Sequence, residues 1–301
     1  MDPREFRKKL GGVIAFPVTP FKPDLSLDIP GLRRNLQGLA KHKLCAIVAA
    51  GGTGELYSLT PAEHLEVVQA TVEEARGKVP VIAGVGFNRA IAIEMARHSE
   101  EAGVDAILAL PPYYPNADDD ALLDYYRGIG GATGLGLLIY SRDWVNPGPA
   151  WVERLAKEVP NLVAWKDGQG DIRRYLQIIQ RVGDRLAWIC GVGDDCVPGY
   201  YAIGIRTYTS SIATVAPRLS LELHEVAARG DQAALGKLMR DFVVPLYVMR
   251  GRRKGYEVSV MKELMNLLGM AAGPVRPPLA NVRPEEMPEL KAILESWKPW
   301  L

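Results

Sequence analysis

Eight short apolar runs recur along the chain, at 13–18, 46–50, 79–85, 106–110, 135–140, 162–166, 186–190 and 205–210. Most are continuously apolar rather than alternating, the signature of parallel strands buried on both faces. Longer amphipathic stretches lie between them, at 61–76, 90–102, 149–158 and 172–182. Pro61 and Pro149 stand where a first-turn proline is tolerated, and Asp171 is placed to cap the helix after it. Eight strand–helix units in about 230 residues is the size of one closed barrel. An open doubly wound sheet is the rival, but no GxGxxG follows the first run. The expected fold is therefore an α/β, (β/α)8 TIM barrel over 1–230. A helical extension over 231–301, with helices at 231–250, 256–268 and 284–297, is expected to pack on it.

A chain of 301 residues with 48% hydrophobic and 24% charged residues buries a core without staples. The net charge of +1 gives no reason to expect nucleic acid or a membrane surface as partner. Cys45, Cys190 and Cys196 are odd in number and form no CxxC pair, so reduced thiols in a cytoplasmic enzyme are the simplest reading. The basic N-terminal stretch is followed by no apolar h-region, so no signal peptide is expected, and no run reaches the length of a membrane span.

Barrels of this kind carry their chemistry at the C-terminal strand ends. The second run ends in Gly51-Gly52-Thr53-Gly54-Glu55, the fifth in Tyr140-Ser141-Arg142, the sixth in Trp165-Lys166-Asp167-Gly168 and the eighth in Thr209-Ser210-Ser211. Lys166 closes an apolar run, which places it near the barrel axis. Burial there lowers a lysine pKa and frees the amine to condense with a ketone as an iminium, an electron sink. The alternative is a lysine that snorkels outward to pair with Asp167. Tyr140 is a candidate proton carrier, or a rim residue packing by its ring. The loop at 51–55 is dense in backbone N–H groups that, with the Thr53 hydroxyl, suit a carboxylate; it is otherwise a plain glycine-rich turn. Arg142 is a candidate clamp for a second carboxylate, or a surface partner of Asp143. Ser210 is a candidate for binding a substrate hydroxyl or carboxylate. His42, His64, His98 and His224 all fall on expected helices, so no metal centre is expected at the barrel mouth. The Asp118-Asp119-Asp120 run reads as a solvated helix start.

Together these strand ends resemble the dihydrodipicolinate synthase/N-acetylneuraminate lyase family, from Phe16-Pro17-Val18-Thr19-Pro20-Phe21 to Arg276-Pro277-Pro278-Leu279. The resemblance implies a carboxylate-binding GxTGE loop at Gly51–Glu55, a catalytic tyrosine at Tyr140 and a Schiff-base lysine at Lys166. The segments Trp165 to Ile172, Lys254 to Ser259 and Gly273 to Leu279 are similar to the branch that dehydrates and decarboxylates 5-dehydro-4-deoxyglucarate. Gly52 stands where the synthases and many lyases have a hydroxyl residue; Tyr140-Ser141-Arg142 fits the dehydratase branch better than the synthases, though the family has asparagine where this chain has Ser141. Tyr114 matches a family tyrosine that reaches a neighbouring subunit's site, but the threonine of its relay is Gly52 here.

The resemblance implies a small-molecule keto sugar diacid as substrate, no cofactor and no metal, and a homotetramer or dimer of dimers. The expected reaction yields 2,5-dioxopentanoate, CO2 and water. An aldolase or lyase cleaving a 2-keto-3-deoxy sugar acid, or a synthase-like enzyme, is the nearest alternative. A non-catalytic binding barrel is a different class, disfavoured by the presence of Lys166, Tyr140 and Thr53.

Overall fold

A computed structural model describes residues 1–113 and 116–301. Eight parallel strands close on themselves in sequence order: β1 (Gly12–Ala15), β2 (Ala46–Ala49), β3 (Val81–Val85), β4 (Ala106–Ala109), β5 (Gly136–Ser141), β6 (Leu162–Asp167), β7 (Ala187–Cys190) and β8 (Thr207–Ser210). β1 pairs with β8 to shut the barrel. Every apolar run thus yields a strand, with ends shifted by up to three residues.

Strand side chains alternate between two environments, as the pleat requires. Ile14, Val48, Ile82, Leu108, Leu138, Ala164 and Ile189 fill the barrel interior. Val13, Ile47, Ala83, Ile107, Ile139 and Trp165 face the surrounding helices. This parity decides which strand-end residues reach the mouth. Tyr140 follows Leu138 and Lys166 follows Ala164, both inward, whereas Ser141, Asp167 and Ser210 fall on the outward parity.

The helices of the ring are α2 (Ile29–Leu39), α3 (Pro61–Ala75), α4 (Arg89–Ala102), α5 (Asp119–Gly130), α6 (Pro149–Glu158), α7 (Ile172–Val182), α8 (Val197–Ala202) and α9 (Pro217–Ala228). Thr60 and Glu63 form a reciprocal capping box at the start of α3, and Asp118 and Asp171 cap α5 and α7. His64, His98 and His224 lie on helices, but His42 lies in the turn after α2, where its N–H donates to Leu39.

A helix not anticipated from the sequence, α1 (Pro3–Lys9), precedes the barrel. Asp2 caps it and Pro3 opens it. Its Phe6 is fully buried in the interior cluster and α1 packs against β5 and β6, so the N-terminal helix plugs the end opposite the strand C-termini.

The helix expected over 231–250 is interrupted. α10 (Gln232–Leu238) passes through a π-turn (Met239–Val243) into α11 (Val244–Gly251). Pro245 in the first turn of α11 has no N–H to give, and the Val244 N–H reaches back five residues to Met239. α12 (Tyr256–Leu267) and α13 (Met287–Trp297) complete the extension, the latter after a 3-10 turn, Pro284–Glu286. The Trp297 indole donates to Phe242 and ties α13 to the π-turn. Cys45, Cys190 and Cys196 are free thiols. Among the described residues, no helix is long and apolar enough to cross a membrane.

Candidate active site

The strand C-termini open onto a cavity of about 720 Å³, within the range that holds a small metabolite. Lys166 rises from β6 into its floor and is 4% exposed. Its register partner on β5 is Tyr140 and on β7 Ile189. The amine donates to the Gly191 carbonyl at 2.9 Å and lies 3.1 Å from the centroid of the Tyr140 ring. Both contacts favour an ammonium. Burial, and secondly the positive charge of Arg142, act in the opposite sense and prevail, pushing Lys166 well below the usual lysine range. A neutral amine keeps its hydrogen bond to Gly191 and retains a lone pair for attack.

The snorkelling alternative fails because Asp167 has turned away. Its carboxylate accepts from the Tyr200 hydroxyl on α8 and, at 3.3 Å, from the Gln169 N–H. Burial raises the Asp167 pKa.

The Tyr140 hydroxyl accepts from Arg142 Nη1 at 3.3 Å and points to the Gly191 carbonyl at 3.4 Å. Burial raises the phenol pKa, with Arg142 partly offsetting it, so Tyr140 stays protonated near neutral pH. Arg142 also lies 3.4 Å from Asp143, a loose and exposed pairing.

Gly52 and Thr53 line the opposite wall. A side chain at Gly52 would meet nothing within 4 Å, so its missing hydroxyl leaves open space in the cavity. The loop is anchored from behind: Thr19 Oγ1 donates to the Gly54 carbonyl at 2.6 Å, and Glu55 sits in the left-handed region at φ 56° with its carboxylate buried.

Two other strand-end hydroxyls are engaged within the protein, although Ser210 is among the residues that line the cavity. Ser141 Oγ donates to the Val145 carbonyl at 2.9 Å and stitches its own loop. Ser210, the expected binder of a substrate hydroxyl or carboxylate, is fully buried. Its hydroxyl bonds to Asp194 Oδ1 at 2.5 Å and Ser220 Oγ at 2.8 Å, and accepts from the Ala213 N–H at 2.9 Å. The strand pleat turns it outward to α9, which leaves no hydrogen bond free. Tyr114 lies outside the described residues.

The family profile described as Dihydrodipicolinate synthetase family matches residues 9–297. The chain belongs to this family. A Bradyrhizobium protein named probable 5-dehydro-4-deoxyglucarate dehydratase is 40% identical over 299 residues, covering 98% of this chain and 96% of that protein. A Methylobacterium radiotolerans protein of the same name is 41% identical over 297 residues and 98% of each chain. The crystal structure of dihydrodipicolinate synthase from Oceanobacillus iheyensis superposes with a TM-score of 0.93 at 30% identity, over 99% of this chain and 100% of that one.

Within the family frame, part of the cavity was not anticipated from the sequence. Asp194 and Asp195 follow β7 after Gly191-Val192-Gly193, so extending the strand-end rule past those glycines finds them. Asp194 accepts from Ser210 and, at 2.9 Å, from the Tyr247 hydroxyl; burial raises its carboxyl to about 6. Asp195 lines the cavity with a buried, unpartnered Oδ1. Tyr247 and Arg250 arrive from α11, three residues apart on one face, and no strand-end rule points to them.

Proposed function

We propose that the chain is a decarboxylating hydro-lyase that converts 5-dehydro-4-deoxyglucarate to 2,5-dioxopentanoate, CO2 and water through an iminium on Lys166. One observation carries the reading: a buried lysine amine, free of carboxylate partners and packed on the Tyr140 ring, on the floor of a cavity sized for a sugar acid. The names of the curated relatives, at about 40% identity over almost the whole chain, supply the substrate.

Lys166 Nζ attacks the C5 ketone, and the protonated Tyr140 hydroxyl delivers a proton to the carbinolamine oxygen as water leaves. The Gly52 and Thr53 backbone and the Thr53 hydroxyl hold the carboxylate beside the ketone. The iminium acidifies C4. Loss of a C4 proton gives an enamine, whose electrons expel the C3 hydroxyl as water and leave a conjugated iminium. The C1–C2 bond then breaks: its electron pair enters the conjugated system toward nitrogen, and C1 departs as CO2. Tautomerisation of the resulting dienamine and hydrolysis of the iminium release the five-carbon product and restore the amine. Both eliminations use one electron sink. Arg142 lies near the reacting amine and, second to burial, disfavours its protonation.

The test pairs product analysis with borohydride reduction. CO2 and 2,5-dioxopentanoate are expected from wild-type protein, with substrate trapped on Lys166. Pyruvate and an aldehyde would assign the chain to carbon–carbon cleavage instead, and a Lys166→Ala variant that still traps would remove the Schiff base. The family resemblance supports a homotetramer or dimer of dimers, which sedimentation velocity resolves.

A further inference from the structure

A cation that forms no salt bridge among the described residues stands in the cavity wall. Arg250 reaches in from α11 and lines the cavity. Its guanidinium stacks 4.5 Å from the Tyr247 ring centroid, and Nη1 donates to Ser211 Oγ at 2.9 Å. Its Nε is buried and has no hydrogen-bond partner. Among the described residues no carboxylate pairs with it. Asp194 and Asp195 both feel its charge, but Asp194 has committed one oxygen to Ser210 and the other to Tyr247, and Asp195 makes no ion pair with it. A stacked, tethered guanidinium with an unused buried donor is pre-organised for an anion brought by the ligand.

The substrate proposed above carries two carboxylates. One adjoins the ketone and belongs near the loop at 52–53. The other, C1, lies four carbon–carbon bonds from C5, about 5 Å away in an extended chain from ordinary bond lengths. Arg142 is poorly placed for it. That guanidinium contacts Tyr140 and Asp143, and it lies close enough to Lys166 to depress the amine's pKa. Arg250 sits beyond β8, against Ser211.

We propose that Arg250, held by Ser211 and Tyr247, is the specificity-determining anchor for the carboxylate remote from the ketone, so that the cavity selects six-carbon 2-oxo diacids over 2-oxo monoacids. This rests on the dehydratase reading. With Nη1 given to Ser211, the remaining donors fix the orientation of the carboxylate, which sets the C1–C2 bond against the conjugated system. CO2 leaves uncharged, and the five-carbon product no longer meets Arg250, which favours its release.

The experiment uses borohydride trapping on the full-length protein with 2-oxoadipate and 2-oxohexanoate, probes of equal chain length that differ only at the remote end. Both lack the C3 hydroxyl and stop at the iminium. Wild-type protein is expected to half-saturate with the diacid at a concentration roughly tenfold or more below that for the monoacid, the size of one charge-assisted contact. Arg250→Met brings this ratio close to one, Arg250→Lys keeps part of it, and Ser211→Ala lowers it. Arg142→Met, measured at a pH where trapping is complete, keeps the preference. Trapping of the monoacid itself reports that each variant is folded. A wild-type protein without preference, an Arg250→Met variant that retains it, or a collapse confined to Arg142→Met would each overturn the assignment. Failure of the dehydratase reading shows separately, as wild-type protein that traps keto acids but releases no CO2 from 5-dehydro-4-deoxyglucarate.

Discussion

Lys262 on α12 and Glu55 at the end of the glycine-rich loop 51–55 form a buried ion pair, Nζ to Oε1 2.5 Å, with side chains 2% and 0% exposed. The approach is close as charges but off-axis as a hydrogen bond. Lys262 also donates to the Pro274 carbonyl at 2.8 Å, and Glu55 Oε2 accepts from the Arg276 N–H at 3.0 Å. The helical extension thereby fixes the βα loop that faces Lys166. Burial lowers the Lys262 pKa to about 8 despite the attraction of Glu55. Removing one partner strands the other's charge in the interior, which costs about 3–5 kcal/mol, whereas replacing both is far milder. Lys262→Met is expected to lower the urea midpoint sharply, and Lys262→Met with Glu55→Gln to recover much of the loss. Equal destabilisation by the single and double variants would contradict the pairing.

The depressed pKa of Lys166 has two causes that separate experimentally. Burial is the larger and Arg142 the second. Arg142→Met removes a positive neighbour, makes the ammonium less costly and raises the pKa. The acidic limb of the trapping rate is then expected to move to higher pH, while burial keeps the amine below an exposed lysine. Rate against pH with pyruvate as probe measures this directly; a shift to lower pH, or none, contradicts the assigned cause.

A second ion pair supplies an acid-stability handle. Glu63 on α3 accepts from both Nη atoms of Arg276, at 2.8 and 2.5 Å. Chiefly through Arg276, its carboxyl falls from about 4.5 to about 2. A depressed carboxyl stabilises the fold above its unfolded pKa, and that contribution is lost as pH falls through the folded pKa. Glu63→Gln is therefore expected to be less stable than wild type above about pH 4.5, with the gap closing toward pH 2. Thermal unfolding across that window measures the gap. A gap that widens as pH falls contradicts the sign.

The strands were legible because parallel strands buried on both faces leave uninterrupted apolar runs, and Lys166 because it ends one of them. What was less legible depended on pleat parity and tertiary packing. Ser210 ends a strand as Lys166 does, yet its parity turns the hydroxyl to Ser220 on α9. Arg250 and Tyr247 sit on an ordinary amphipathic helix, and only the docking of the extension brings them to the mouth. Phe6 belongs to a segment notable in sequence for its basic residues, and its plugging role appears once the barrel closes above it.

Gly191 leaves no room for a side chain beside Lys166. The Gly191 carbonyl accepts from Lys166 at 2.9 Å. A Cβ at this position would stand 2.4 Å from Lys166 Cγ, 2.6 Å from the Asp167 carbonyl oxygen and 3.0 Å from Lys166 Nζ. Backbone on one side and the lysine stem on the other leave only the stem free to yield. Gly191→Ala is therefore expected to retain the barrel, since β7 ends one residue earlier at Cys190. It should displace the amine from the Tyr140 ring, and misplacement by about 1 Å costs on the order of 100-fold in rate. Trapping rate and circular dichroism together decide the matter: an intact fold with slow trapping is the expected result, and an intact fold with the wild-type rate would mean that Gly191 does not set the lysine's position.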